Sequence, residues 1–167
     1  MFEEEFVRLV DRFDKRPKDV DFTERDTATK FLLPLIRALG WNIYDIREVR
    51  EEISAAGVAG SVDCVLYLED APVIVWEFKS LSTRIYDTGR KAVFHQVMKS
   101  KIRGLQVAKA LSAKYFVMSN FIETVIWDVK NDKIVAVGYF SSEDLDTRYK
   151  KYRRMMWQYL SKENVTP

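Results

Sequence analysis

The stretch Asp63-Cys64-Val65-Leu66-Tyr67-Leu68-Glu69-Asp70-Ala71-Pro72-Val73-Ile74-Val75-Trp76-Glu77-Phe78-Lys79 holds two apolar runs separated by an acidic pair. Val62 to Leu68 and Pro72 to Lys79 are rich in β-branched and aromatic residues, which predicts two strands, and Glu69-Asp70 suits the tight turn of an antiparallel hairpin. Val49 and Ile53, with Glu51 between them, predict an earlier strand, and Gly57 and Gly60 punctuate the connection. Glu77 and Lys79 are two apart and project to one face of their strand, whereas Ile74, Trp76 and Phe78 point to the other. Counted back from the turn, Asp63 and Glu77 both lie about six residues away, which sets them nearly opposite each other across the ladder.

Helical periodicity flanks this hairpin. Phe2, Phe6, Leu9, Val10 and Phe13 predict a helix over 2–13, with Glu3 to Glu5 near the positive end of its dipole. A second helix starts at Thr23, whose hydroxyl can cap it, carries Phe31, Leu32, Leu35, Ile36 and Leu39 on one face, and closes at Gly40. Pro34 inside that run predicts a kink or local irregularity. From Lys91 the period returns to 3.6, with Val93, Val97, Met98, Ile102, Leu105, Ala108 and Leu111 on one side of a long helix. Gly104 costs that helix about 1 kcal/mol relative to Ala and is a candidate break. Strands over 115–119, 124–129 and 134–140 follow, then a helix from Ser142 to Leu160. Tyr149, Tyr152, Met156 and Tyr159 form its packing stripe, while Arg148, Lys150, Lys151, Arg153 and Arg154 offer a second role as a contact to DNA phosphates.

Composition narrows the chemistry. With 167 residues, 47% of them hydrophobic, the chain reads as one domain over 1–167 that can bury a core without disulfides or metal staples. The charge of +2 permits a basic patch without demanding one. One cysteine, Cys64, and no apolar leader point to a reducing, cytoplasmic setting, and no apolar run reaches the length of a membrane span. One histidine, His95, excludes a structural zinc site of Cys and His ligands, and the six scattered glycines match neither a P-loop nor a dinucleotide fingerprint. What remains is the chemistry of carboxylates, lysines and a hard metal ion. Asp63 and Glu77 side by side would repel unless a cation lay between them, and oxygen ligands suit Mg²⁺ or Mn²⁺ better than zinc.

Asp63, thirteen residues, then Glu77-Phe78-Lys79 resembles the PD-(D/E)xK nuclease signature, and the order helix, three-strand meander, helix, strand resembles that family's αβββαβ core. Thr23-Glu24-Arg25-Asp26-Thr27, then Phe31 to Leu35, then Leu39-Gly40-Trp41 is similar to the leading helix of the N-terminal nuclease domain of type I restriction-enzyme motor subunits. Ser119-Asn120 followed by Val125-Ile126-Trp127-Asp128 resembles a later passage of the same domain. The likeness spans residues 22–129, with the helix over 2–13 and the strand and helix over 134–160 as additions.

The resemblance implies a restriction-endonuclease-like α/β fold, a mixed central sheet flanked by helices, and Mg²⁺-dependent hydrolysis of phosphodiester bonds in DNA, with Mn²⁺ able to substitute. It implies Asp63 and Glu77 as metal ligands, and Glu24 as a further acidic residue acting on metal directly or through water. Lys79 would orient the attacking water or offset charge on the phosphate, and Gln96 matches the glutamine of a Q-x-x-x-Y motif. Ser100 in place of that tyrosine and Val62 in place of the family's proline are departures. DNA is the implied partner, a homodimer is one way to cut both strands, and a separate motor or specificity subunit would supply what a chain without helicase or ATP-binding motifs lacks. Specificity would lie in the loops Ser54 to Gly60 and Leu81 to Gly89. Alanine at Asp63, Glu77 or Lys79 is expected to abolish cleavage with little loss of folding.

Plainer readings stand beside these. Glu77 and Lys79 can be an ordinary surface ion pair, worth little to stability. Glu24 can serve the helix dipole, as Asp26 can, and Gln96 can be a solvated helix residue. Ser119 and Asn120 can be a strand-end turn. The alternative function is a catalytically inactive nucleic-acid-binding or assembly module that retains the nuclease fold.

Overall fold

The computed structural model describes residues 1–86, 94–140 and 148–167, with the side chains of 94–96 and 148 outside that description. Helix α1 (Phe2–Asp14) buries Phe6, Leu9, Val10 and Phe13. Thr23 caps α2 (Glu24–Thr27) through a capping box: its Oγ1 accepts the Asp26 N–H at 3.1 Å, and Asp26 Oδ2 accepts the Thr23 N–H at 3.2 Å. One π-helical turn (Ala28–Leu32) leads into α3 (Leu33–Ala38). This is the irregularity expected near Pro34. Lacking an N–H, Pro34 leaves the Lys30 carbonyl without its helical donor, and Arg12 Nη1 of α1 supplies the bond at 3.1 Å.

Strand β1 (Val49–Ile53), β2 (Val62–Leu68) and β3 (Ala71–Phe78) form an antiparallel meander. Glu69 and Asp70, at φ +49 and +67, make the two-residue turn whose left-handed pair matches the strand twist. Helix α4 (Phe94–Ala110) then crosses over to β4 (Tyr115–Ser119), which lies parallel to β3, as a crossover connection requires. Strands β5 (Glu123–Asp128) and β6 (Lys133–Tyr139) return antiparallel, so the described residues form a six-stranded mixed sheet in the order β1 to β6. The fold is α/β and restriction-endonuclease-like, with α1, α3 and α5 (Arg148–Leu160) on one face of the sheet and α4 on the other.

Strand alternation divides the core. Cys64, Leu66, Ile74, Trp76 and Phe78 join the cluster under α1, α3 and α5, whereas Val65, Tyr67 and Val75 join the one under α4. Helix α4 runs unbroken through Gly104, contrary to the candidate break. A Cβ at Gly104 would stand 2.1 Å from Phe116 Cε2, so glycine is what lets α4 lie directly on β4. The packing line therefore passes through Val97, Gly104 and Ala108, and Ile102, expected on the apolar stripe, faces away and is 50% exposed. The expected helix start near Lys91, with Val93, and that near Ser142 fall outside the described residues. In α5, Tyr152, Met156 and Leu160 are buried, and the Tyr152 hydroxyl donates to the Phe121 carbonyl at 2.8 Å. Arg153 is ion-paired to Glu3 of α1. No helix among the described residues is long and apolar enough to cross a membrane.

Candidate active site

The register fixes where the acids stand. Cys64 pairs with Trp76, so the next step of the antiparallel ladder sets Asp63 opposite Glu77, as the count from the turn predicts. On the other side, Glu51 pairs with Cys64 and Ile53 with Val62, which puts Glu52 opposite Asp63. Glu52 holds φ +53, a left-handed conformation unusual for a non-glycine residue inside a strand. Glu52, Asp63 and Glu77 thus follow one another across three strands at one end of the sheet.

Asp63 Oδ2 accepts the Phe78 backbone N–H at 2.6 Å. Burial, and then the nearby Glu77 carboxylate, raise the Asp63 pKa from 3.8 to about 6 against the opposing pull of that N–H and of Lys79. Glu77 is 1% exposed, and its Oε1 lies 3.1 Å from Lys79 Nζ and 2.5 Å from Arg103 Nη2. Its other oxygen, Oε2, is buried with no hydrogen-bond partner among the described residues. Lys79, 8% exposed, extends from the position just beyond the parallel ladder, where its N–H donates to the Ser119 carbonyl at 2.9 Å. Its Nζ also lies 3.4 Å from Glu24 Oε2. An ion pair this deep is costly unless its geometry and remaining bonds are good, so it differs from the surface pair considered above.

Four of the five residues singled out from the sequence, Asp63, Glu77, Lys79 and Glu24, therefore meet at one end of the sheet. The fifth, Gln96, has its backbone in α4 while its side chain lies outside the described residues, as does that of His95. Glu24, Arg25, Thr29, Glu51, Glu52, Asp63 and Phe78 line a cleft of about 340 Å³. A groove of about 410 Å³ between β6 and α5 has a mostly apolar lining, with Lys151 its one charged residue among the described residues.

Two further features escaped the sequence reading. Arg103 reaches Glu77 from α4; its trace in the sequence is a spacing of seven from Gln96, two helical turns on one face. The segment after Lys79 is tied down by main-chain contacts that no motif announces. Thr27 Oγ1 accepts the Leu81 N–H at 3.1 Å, Asn120 Nδ2 donates to the Thr83 carbonyl at 2.7 Å, and Glu123 Oε2 accepts the N–H groups of Ile85 and Tyr86 at 2.6 and 3.2 Å. Ser119 and Asn120 do form the strand-end turn: Asn120 Oδ1 accepts the Glu123 N–H at 2.6 Å.

Among the described residues no three His, Cys, Asp or Glu side chains converge as a ready metal cage. The donor set nonetheless fits a hard divalent ion. Mg²⁺ is commonly held by one or two carboxylates, with waters and substrate phosphate completing its shell. Asp63 and Glu77 supply two carboxylates, and the unpartnered Glu77 Oε2 is an acceptor without a donor.

No protein-family model and no curated protein matches the chain. Among solved structures, the chain is similar to a fragment assigned as an HsdR subunit of a type I restriction enzyme from Vibrio vulnificus YJ016, with a TM-score of 0.53 and 17% sequence identity. The match covers 80% of this chain and 26% of that one, and what the two share is the fold.

Proposed function

We propose that this chain is a Mg²⁺-dependent deoxyribonuclease that hydrolyses phosphodiester bonds in DNA. The observation that carries this reading is the meeting of Asp63, Glu77 and Lys79 at one sheet end, with one Glu77 oxygen left open for a cation. The fold shared with a restriction-enzyme fragment supports it. Asp63 and Glu77 would hold the ion, which when bound polarises the phosphate and lowers the pKa of water. The Phe78 N–H fixes Asp63 in place. Lys79, held between Glu77 and Glu24, presents its ammonium beside the position of the scissile phosphate, where it orients water and offsets developing charge. Water forms the new bond to phosphorus and gives up a proton as the bond to the leaving sugar oxygen breaks, and the leaving oxygen takes up a proton in its place. Glu24 acts here by positioning Lys79 and through water, and Gln96 contributes from α4.

The same proposal takes the nuclease core as residues 22–129 within one domain and DNA as the partner. Motor or specificity functions, and a second copy for cutting both strands, belong to a larger assembly inside the cell.

One observation favours a second reading, an inactive nucleic-acid-binding or assembly module. Lys79 and Arg103 together already compensate Glu77 without a metal. Cleavage assays on linear, circular, single-stranded and branched DNA, with Mg²⁺, Mn²⁺ or EDTA, separate the two. Metal-dependent cutting supports the nuclease; DNA binding with no cutting and no Mn²⁺ affinity supports the module.

A further inference from the structure

The contact between α4 and the acidic cluster is half made. Arg103 Nη2 donates to Glu77 Oε1 at 2.5 Å, yet among the described residues Arg103 Nε is buried with no partner, and so is Glu77 Oε2. A guanidinium and a carboxylate whose only task is to hold each other commonly close a fork of two parallel bonds. Here the second prong stays open, with a desolvated donor and a desolvated acceptor on the same ion pair. The side chain of Arg103 is 35% exposed while that of Glu77 is 2% exposed, so the guanidinium links a buried carboxylate to the surface.

The sequence places this arginine closely. Gly104 lets α4 lie on Phe116, which brings the neighbouring Arg103 within reach of β3. Gly60, at φ +87, turns its bare Cα to the Arg103 stem; a Cβ there would stand 3.1 Å from Arg103 Cδ. Gly60 thus makes room for the Arg103 stem, and Gly104 makes room for Phe116 and so for the helix packing that carries the arginine.

We propose that Arg103 is a phosphate-binding residue of this site, the outer Nη1 end of its partly exposed guanidinium taking a non-bridging oxygen of the DNA backbone while Nη2 stays on Glu77. This rests on the nucleic-acid reading of the same acidic cluster. A guanidinium stays charged at every working pH and offers donors in a fork that fits phosphate. Lys79 approaches Glu77 from the strand and is shared with Glu24, whereas Arg103 approaches from the helix, so the phosphate would meet cations from two sides.

The test compares wild type with R103A, R103K and R103Q, all checked for folding by thermal melting. Duplex oligonucleotide binding is measured by fluorescence anisotropy over a KCl series in Ca²⁺, and single-turnover cleavage is measured in Mg²⁺ with and without added guanidinium. The expected result is a loss of about 100-fold in cleavage for R103A and R103Q, partial recovery in R103K, and rescue of R103A by guanidinium. The salt dependence of binding should weaken by about one phosphate contact. R103Q can still hydrogen-bond Glu77 but carries no charge, so full activity in R103Q reduces Arg103 to a structural prop and overturns the proposal. R103A that binds and cuts like an active wild type overturns it alone. A wild type that neither binds nor cuts DNA removes the nucleic-acid reading of the acidic cluster and this proposal with it.

Discussion

Asp63 of β2 accepts the backbone N–H of Phe78, the residue between Glu77 and Lys79, at 2.6 Å. The carboxylate of one strand is thereby bolted to the main chain of the next, and the three side chains of the motif are placed by a single hydrogen bond and the ladder register. That bond also favours the ionised form of Asp63, yet burial and Glu77 outweigh it and leave the pKa at about 6.

Because this folded-state value lies above the ordinary 3.8, the folded chain keeps a proton on Asp63 that the unfolded chain has already released between pH 4 and pH 6. The stabilisation is complete below pH 4 and lost as pH rises through 6. A shift of two units corresponds to about 3 kcal/mol. Asp63→Asn should therefore be more stable than wild type at pH 8, by up to about 3 kcal/mol, with the gap closing toward pH 4 in urea unfolding. Asp26 and Asp45, held at about 2 by Lys30 and Arg47, lose their stabilisation only at lower pH, outside this window.

Glu77→Ala should behave differently from Asp63→Asn. The sequence suggested that alanine at Glu77 would spare the fold, but the carboxylate is 1% exposed and is the anion facing both Lys79 and Arg103. Its removal leaves two cations at the site without their shared counter-charge, and a loss of about 3 kcal/mol or more is expected on denaturant unfolding.

Gly104→Ala offers a sign test. Helix propensity alone would make it stabilising by about 1 kcal/mol. The 2.1 Å approach of a Cβ to the Phe116 ring reverses this, because α4 would have to lift from β4. A net destabilisation of about 1–3 kcal/mol is expected, with a drop in any DNA cleavage as Arg103 is displaced.

Glu123→Ala should release the segment that follows Lys79. The Ile85 and Tyr86 amides lose their acceptor, so their hydrogen exchange should accelerate by roughly tenfold or more, as expected for about 1–2 kcal/mol of lost hydrogen bonding. Exchange in β3 should be unchanged.

The hairpin and the αβββαβ order were legible because they rest on local signals: period two around a two-residue turn, period 3.6 on either side, and Thr23 ahead of an apolar helix. The juxtaposition of Asp63 and Glu77 was legible because a hairpin converts sequence distance into register. Arg103 was not, since its approach to Glu77 depends on how closely α4 packs on β4, and that is set by Gly104 against Phe116, a contact between residues twelve apart in sequence. Gly104 itself was misread for the same reason: propensity describes a helix alone, whereas this glycine answers to its neighbour. The anchors at Thr27, Asn120 and Glu123 bond to backbone groups, which leave no side-chain pattern to read.

Asp63→Asn is the sharpest probe of the central claim, because it keeps the shape of the side chain and is expected to raise stability near neutral pH. Cleavage of a DNA substrate cut by wild type should be followed in Mg²⁺ at pH 8, with EDTA as control, beside folding of both proteins. The account predicts that EDTA stops wild type and that Asp63→Asn, folded and at least as stable, is slower by about 1,000-fold, roughly 4 kcal/mol of lost transition-state stabilisation. Asp63→Asn cutting at the wild-type rate, or cutting by wild type that survives EDTA, would contradict it.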